Sequence, residues 1–514
     1  MWHINPFSYA AAPYDDGYFP TAANPGTVGS HARQASQALD EAKLIPTCLL
    51  YDEHGRILAW GLEAKNASAM PGTSRFEWFK LFLDPRALRD DSTLDPRLPP
   101  LPPGKSAADL ITDFLSCLWE YAREQITRDI GAIADLNAAE VWVTVPAAWD
   151  ARGTALMRDA ALAAGLVQRA HAGEDGWRAR LKIITEPEAA AVHCAHLTDL
   201  YKLRPEQNFV VCDAGGGTVD LAVYKIIGDP AHLEIAEIAA RSGASCGSLF
   251  LDLRFRALVQ ARLKDILTAR VLLALFRRHR LARYRRHSFS SITQCIWMRH
   301  LWLILVPHSF SESDKLAYAG CADDDAIFYF NCFNVEDADD RAVGLINGQL
   351  AIPGRLLREA VFDPVVDDVL DLIVKQLAVS PPIDALLLVG GFSGSAYLKT
   401  RIEEAFGARI GVIARPADGD TATLRGAARY GLARPGGPGL VSQFVVPRSY
   451  VMKVKLPAEP EDRVRRPGYV RVNDAGVEVC ENRCAPPSLL PLFPLPSLIP
   501  KFSLGIFRIL RFEF

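Results

Sequence analysis

Apolar positions in this chain alternate between short runs and helical stripes. IPTCLLYDE and RILAWGLEAK predict two strands about a turn at His54-Gly55. Ile111, Phe114, Leu115, Leu118, Ala122 and Ile126 then recur at helical spacing and place one apolar face on a long helix. VWVTVP has the composition of a buried strand, and the helical pattern of ALMRDAALAAGL stops at Gly165. LKIIT runs straight into Glu186-Pro187 and the helical EAAAVHCAHL. Strand, helix, strand, helix predicts a layered α/β body with its chemistry at the strand ends. FVVC and LAVYKII flank a glycine turn, LEIAEIAARSG reads as a further strand, and DALLLVGG opens into the helix SAYLKTRIEEAF. EAVFDPVVDDVLDLIVKQL and the end of ARPADGDTATLRGAARYGL are helical, while SYVMKVKL and YVRVN predict a small β unit after Leu432.

Three stretches break this order. Residues up to about Lys43 are rich in Ala, Gly, Pro and Ser without a sustained period and are expected to be irregular or disordered. Between Asp265 and Glu312 there is no acidic residue, against eight arginines and four histidines. A basic patch for nucleic acid or anionic lipid is one reading of that segment. An insertion foreign to the fold is the other, favoured because neither caps nor a clean amphipathic period supports a basic helix. From Ala485 the chain is rich in Pro and Leu with no polar pattern, and is read as flexible or foreign to the fold.

Bulk composition adds constraints. With 514 residues, 49% hydrophobic and 23% charged, the chain has room for a deep cleft or for several domains. A net charge of -3 gives no overall attraction to nucleic acid or anionic membrane, so neither is favoured as a partner. The ten cysteines include no CxxC pair and suggest neither a zinc site nor a disulfide framework, which fits a reducing cytoplasmic or nuclear setting. The N-terminal MWHINPFSYAAAPYDDGYF lacks the layout of a secretory signal, and no run reaches the roughly 18 apolar residues of a spanning helix.

The densest chemistry lies in DAGGGTVD, Asp213 to Asp220. Three glycines between two strands leave backbone amides that a bulky anion approaches without meeting a Cβ, and Asp213 and Thr218 add a metal-directed carboxylate and a hydroxyl. That composition reads as a phosphate cradle. A loose hairpin turn is the alternative, though two-residue turns such as Asn-Gly are the usual solution and three glycines cost chain entropy. No HExxH and no GxGxxG after a strand is present, so metalloprotease and dinucleotide readings find no motif.

Taken in order, VTVPAAWD with DAALAAGL, ITEPEAAAVH, DAGGGTVDLAVY, LLLVGGFSGSAYL and DTATLRGAARYG span some 290 residues and resemble the ATPase domain of the 70-kilodalton heat-shock protein family. The divergent, actin-like branch of that family in fungi and animals is the nearer match. EPEAAA with LRGAARYG fits that pattern better than it fits the sugar kinases that share the fold. The resemblance implies an actin-like ATPase fold, in which two ribonuclease-H-like lobes close on ATP and magnesium. Asp213 would then hold hydrated magnesium through water, with Gly215, Gly216, Gly217 and Thr218 around the β- and γ-phosphates. Glu186 would orient attacking water, or equally serve as a helix N-terminal carboxylate. Gly390 and Gly391 match the turn that contacts adenosine and phosphate, unless close strand-helix packing alone explains them. Asp420 falls where the family has an acid near the adenine, and also where a helix cap belongs. Lys80 aligns with the lysine that reaches the γ-phosphate, with a solvated surface lysine as the alternative. Glu312 and Lys315 keep the spacing of the family's adenine-facing helix.

On this resemblance the chain divides into an atypical N-terminus over 1–43, lobe I over 44–202 and lobe II over 203–414 with the insertion 266–311. A return to lobe I over 415–434, a β-like segment over 435–484 and the tail 485–514 complete it. Two departures qualify the match. The family opens with a strand and an Asp-x-Gly-Thr-Thr phosphate loop, and nothing before Ile45 fits, so the first phosphate-loop hairpin is missing. Only about 80 residues follow Leu432, against some 200 for a peptide-binding domain and lid. The implied protein is an ATP-binding, chaperone-like ATPase with ATP or ADP and an unidentified client or co-chaperone as partners. The alternative is an actin-fold scaffold that hydrolyses nothing.

Overall fold

A computed structural model of the protein describes residues 2–3, 44–83, 101–130, 136–195, 203–227, 234–263, 310–331, 339–432, 441–485 and 509–511, apart from 68–69, 71, 103, 172, 348, 444, 446–449 and 474–475. The expected disorder of 1–43, apart from 2–3, lies outside the described residues. So do the arginine-rich segment, except for 310–311, and most of the tail. The chain forms two compact units, 1–444 and 445–514.

In the first unit, β1 (Cys48–Tyr51) pairs antiparallel with β2 (Ile57–Trp60) and β3 (Ser74–Glu77). The strand predicted over RILAWGLEAK ends at Trp60, because Gly61 takes a φ of +59° and turns the chain into a short helix, Gly61–Asn66. Trp2–His3 pairs with Leu44–Ile45. The long helix α1 (Ala107–Ile130) lays Leu110, Ile111, Phe114, Leu115 and Leu118 against Leu49 and Tyr51 of β1. β4 (Val141–Val145) and β5 (Leu181–Thr185) run parallel, which requires a crossover. α2 (Ala151–Ala163) supplies it: the Asp150 side chain accepts from the amides of Arg152 and Gly153, and Gly165, at φ +76°, ends the helix. α3 (Glu186–Ala195) then follows β5 without a loop.

The largest sheet holds β6 (Asn208–Ala214), β7 (Val219–Ile226) and β8 (Ile235–Ala244). Successive side chains of β6 face opposite cores. Val210 and Cys212 join Leu249, Phe255, Phe362 and Val366, whereas Phe209 and Val211 join Ala190, Val192 and Ala422. Burial on both faces is why this strand reads as an uninterrupted apolar run. A helix, α4, follows over 249–263.

A small sheet of β9 (Ile327–Asn331), β10 (Leu345–Ile346) and β11 (Gln349–Pro353) precedes α5 (Asp363–Ala378). The chain then returns to the large sheet as β12 (Ala385–Val389), α6 (Ala396–Phe406) and β13 (Val412–Ala414), followed by α7 (Ala422–Leu432) and β14 (Val441–Gln443). The strand order of the large sheet is β13-β12-β6-β7-β8-β14. α7 crosses α3 so closely that a Cβ on Gly426 would overlap the Ala189 carbonyl oxygen.

In the second unit, β15 (Tyr450–Pro457), β16 (Val470–Val472), β17 (Glu478–Ala485) and β18 (Ile509–Arg511) form an antiparallel sheet of order β16-β17-β15-β18. β18 brings part of the tail into that sheet. Among the described residues no helix is long and apolar enough to cross a membrane.

Candidate nucleotide site

β6 and β7 are joined by the glycine turn, and their register sets Asp213 directly opposite Asp220. Alternation along both strands points the two carboxylates to the same face, toward α3 and α7. Like charges directly opposite one another destabilise a sheet, and these two are also buried. Burial first, and the nearby Glu186 carboxylate second, hold both carboxyls well above the ordinary range. Thr423 Oγ1 of α7 donates to Asp213 Oδ2 at 2.9 Å, and the Ala148 amide donates to Asp220 Oδ1 at 3.2 Å. Asp220 Oδ2 is buried and has no hydrogen-bond partner. A dication beside this pair would relieve the repulsion and satisfy the orphaned oxygen, so the residues present fit magnesium.

The turn itself directs its carbonyls inward, toward α4. The carbonyls of Gly215, Gly216 and Gly217 accept from the amides of Ser248 (3.2 Å), Leu249 (2.8 Å) and Gly247 (3.2 Å) at the start of α4. In a trans peptide the C=O and the following N–H point in opposite directions. The amides of Gly216, Gly217 and Thr218 are therefore directed away from α4, and none has an acceptor among the described residues. Gly247 makes this seating possible, since a Cβ there would lie 2.5 Å from the Gly216 carbonyl oxygen.

Facing the aspartates is Glu186, the first residue of α3, in an ion pair with Lys80. Lys80 lies on a 3-10 turn, Phe79–Leu83, one residue after β3, and its side chain is 19% exposed. Its ammonium also stands 5.9 Å from the Trp149 ring centroid.

Gly390 closes the third side. It has a φ of +82°, donates its amide to the Gly419 carbonyl at 2.8 Å, and lies so near Asp213 and Ala214 that a Cβ would clash with both. A Cβ on Gly391 would meet nothing within 4 Å, so that position borders open space. Lys315 donates to Asp252 Oδ2 at 2.9 Å, and its neighbour Leu316 abuts Gly394, which places this turn beside the Gly390 loop. The Glu312 side chain lies outside the described residues. Asp420 is half-buried before α7, and its side chain makes no hydrogen bond among the described residues. Its neighbour Asp418 is the one engaged, accepting from His193 Nε2 at 3.0 Å and pairing with Arg425 at 3.3 Å.

The structure thus brings Lys80, Glu186, Asp213, Gly215 to Thr218 and Gly390 together. No family model matches the chain. It is 27% identical over 479 residues to heat shock 70 kDa protein 12B of Homo sapiens, an alignment covering 79% of this chain and 64% of that protein. With heat shock 70 kDa protein 12A of Mus musculus it shares 26% identity over 370 residues, 61% of this chain and 52% of that one. The chain is thus similar in sequence to two 70-kilodalton heat-shock proteins. The chain spans between half and two thirds of the length of these curated relatives.

Within this family context, the residues that sequence reasoning passed over are Asp220, Thr423, Gly243 and Gly247. Asp220 closes the quoted motif, and pairing the strands from the glycine turn outward would have set it against Asp213. Gly243 also had no local signal, yet a Cβ there would lie 2.5 Å from Asp220 Oδ1.

Proposed function

We propose that the first unit binds ATP with magnesium between two lobes of an actin-like fold and hydrolyses it slowly, lobe closure being the output. The observation that carries this reading is the buried Asp213/Asp220 pair set against three outward-facing turn amides, with Glu186 and Lys80 opposite. In it, the amides of Gly216, Gly217 and Thr218 bind phosphate oxygens, and Lys80 neutralises their charge. Asp213 holds the metal through water, with Asp220 alongside. Glu186 accepts a hydrogen bond from the attacking water and so orients it toward the phosphate. Magnesium supplies charge neutralisation of the polyphosphate. The turns at Gly390-Gly391 and Lys315-Leu316 bound the nucleoside end, with Asp420 and Glu312 as the further residues assigned there.

Titration of the chain with Mg-ATP tests this. Asp213→Ala is expected to abolish binding, and Glu186→Gln to leave binding while lowering turnover by 10²-fold or more, on the order expected for loss of a positioned base. ATP affinity unaffected by Asp213→Ala would sink the reading. A second reading, an actin-fold scaffold that binds a partner but hydrolyses nothing, is favoured by the absence from this sequence of an Asp-x-Gly-Thr-Thr loop opposite the glycine turn. Mg-ATP binding with no turnover in the unaltered chain would select it. A client or co-chaperone as partner, and a reducing cytoplasmic or nuclear location, belong to the same proposal; Cys48, Cys194 and Cys212 are free and buried, in keeping with that location.

A further inference from the structure

The turn that carries Lys80 is anchored in two separate cores at once. Phe79 and Leu83 are buried with Phe114, Val143 and Met157, and the Phe79 and Phe114 rings meet edge-on at 6.0 Å. Leu81 instead belongs to the core of Leu249, Phe255 and Phe362, on the α4 side of the large sheet. It lies directly under the phosphate turn, where a Cβ on Gly217 would come within 2.9 Å of Leu81 Cδ2. Alternate residues therefore pull toward opposite bodies, and Lys80 sits between them.

Trp78, at the head of this segment, has a φ of +64°, a conformation that non-glycine residues with a bulky side chain rarely adopt. Something outside the local sequence must hold it there. Its ring packs against the same core as Leu81, and the Arg256 guanidinium of α4 stacks over it at 5.0 Å. Arg256 Nε is buried without a hydrogen-bond partner, so the guanidinium is held by the ring at the expense of a donor.

We infer that Trp78 and Arg256 are positioning residues: the segment 78–83 is a strap through which the placement of α4, and of the phosphate turn seated on it, sets the placement of the Lys80 ammonium. The inference rests on the nucleotide reading above for its ligand, and on contacts independent of that reading for its mechanism. If Lys80 serves the terminal phosphate, loosening the strap weakens ATP more than ADP. Loss of ordinary folding stability would weaken both alike.

The test measures Mg-ATP and Mg-ADP affinities of the full chain for the unaltered protein, Arg256→Gln, Arg256→Lys, Lys80→Ala and Arg256→Gln with Lys80→Ala. Arg256→Gln is expected to weaken ATP by about three- to tenfold with ADP within about twofold, the size of one cation–π contact. Arg256→Lys restores most of the loss, and the double variant is no weaker for ATP than Lys80→Ala alone. Equal loss for ATP and ADP, no loss, or full additivity with Lys80→Ala would overturn the inference. Hydrogen exchange without nucleotide provides a separate arm. Arg256→Gln is expected to speed exchange both at 79–83 and at 216–218, and faster exchange confined to α4 overturns the strap even if the chain binds no nucleotide. Absence of nucleotide binding by the unaltered protein, with coupled exchange intact, refutes the earlier reading and not this one.

Discussion

Two carboxylates set face to face inside a hairpin cost stability, and the cost is measurable at a single residue. Asp213 and Asp220 both have native pKa values raised above the ordinary carboxylate value. The native state therefore holds protons that the unfolded chain has already released, so stability is fully present in acid and falls as pH climbs through the raised values. Asp220→Asn removes part of that loss. It is expected to stabilise the ligand-free protein by roughly 1–3 kcal/mol near neutral pH and by almost nothing at about pH 4, as read by denaturant melts across pH. The same change is expected to weaken magnesium-dependent binding, so stability and function move in opposite directions at one position.

The elements show what holds the site in place, and the crossing of α3 and α7 is the tightest instance. Gly426→Ala would drive a methyl into the Ala189 carbonyl. A loss of roughly 3 kcal/mol or more is expected in a thermal or denaturant melt, because neither backbone has room to shift. Nothing around LRGAARYG announced this, for the partner lies more than 200 residues earlier in the chain. Local rules did announce the β6 to β7 turn, the Gly165 stop of α2 and the junction of β5 with α3, each written in glycine, proline and apolar runs. RILAWGLEAK was over-read as strand because its apolar residues continue past Trp60, whereas the backbone conformation of Gly61 ends the strand. The surroundings of Lys80, a residue singled out only through the resemblance, and of Trp78, which no motif marked, could not be read locally for a related reason. Their placement depends on Glu186 and Arg256, contacts that no spacing rule encodes.

For the whole molecule, the reading requires nucleotide to stabilise the native state by mass action. Mg-ATP at about a hundred times its dissociation constant is expected to add roughly 2.7 kcal/mol to unfolding, seen as a rise in melting temperature. Chelation of magnesium, or Asp213→Ala, is expected to remove that rise. A rise that survives both would place the ligand elsewhere in the chain. The second unit, with its four-stranded sheet, contributes none of the residues assigned to the nucleotide.

Because each carbonyl of the glycine turn is bonded to an amide at the start of α4, the positive end of that helix is not spent where the helix begins. Its dipole is relayed through three peptide groups to the far side of the turn, in the manner of a short conducting chain. An anion held by the amides of Gly216 and Gly217 would polarise each link and tighten the bonds from Ser248 and Leu249, residues it never touches. Amide exchange at Ser248 and Leu249 should therefore slow on nucleotide binding, and it is there, one peptide removed from the ligand, that α4 first registers an occupied site.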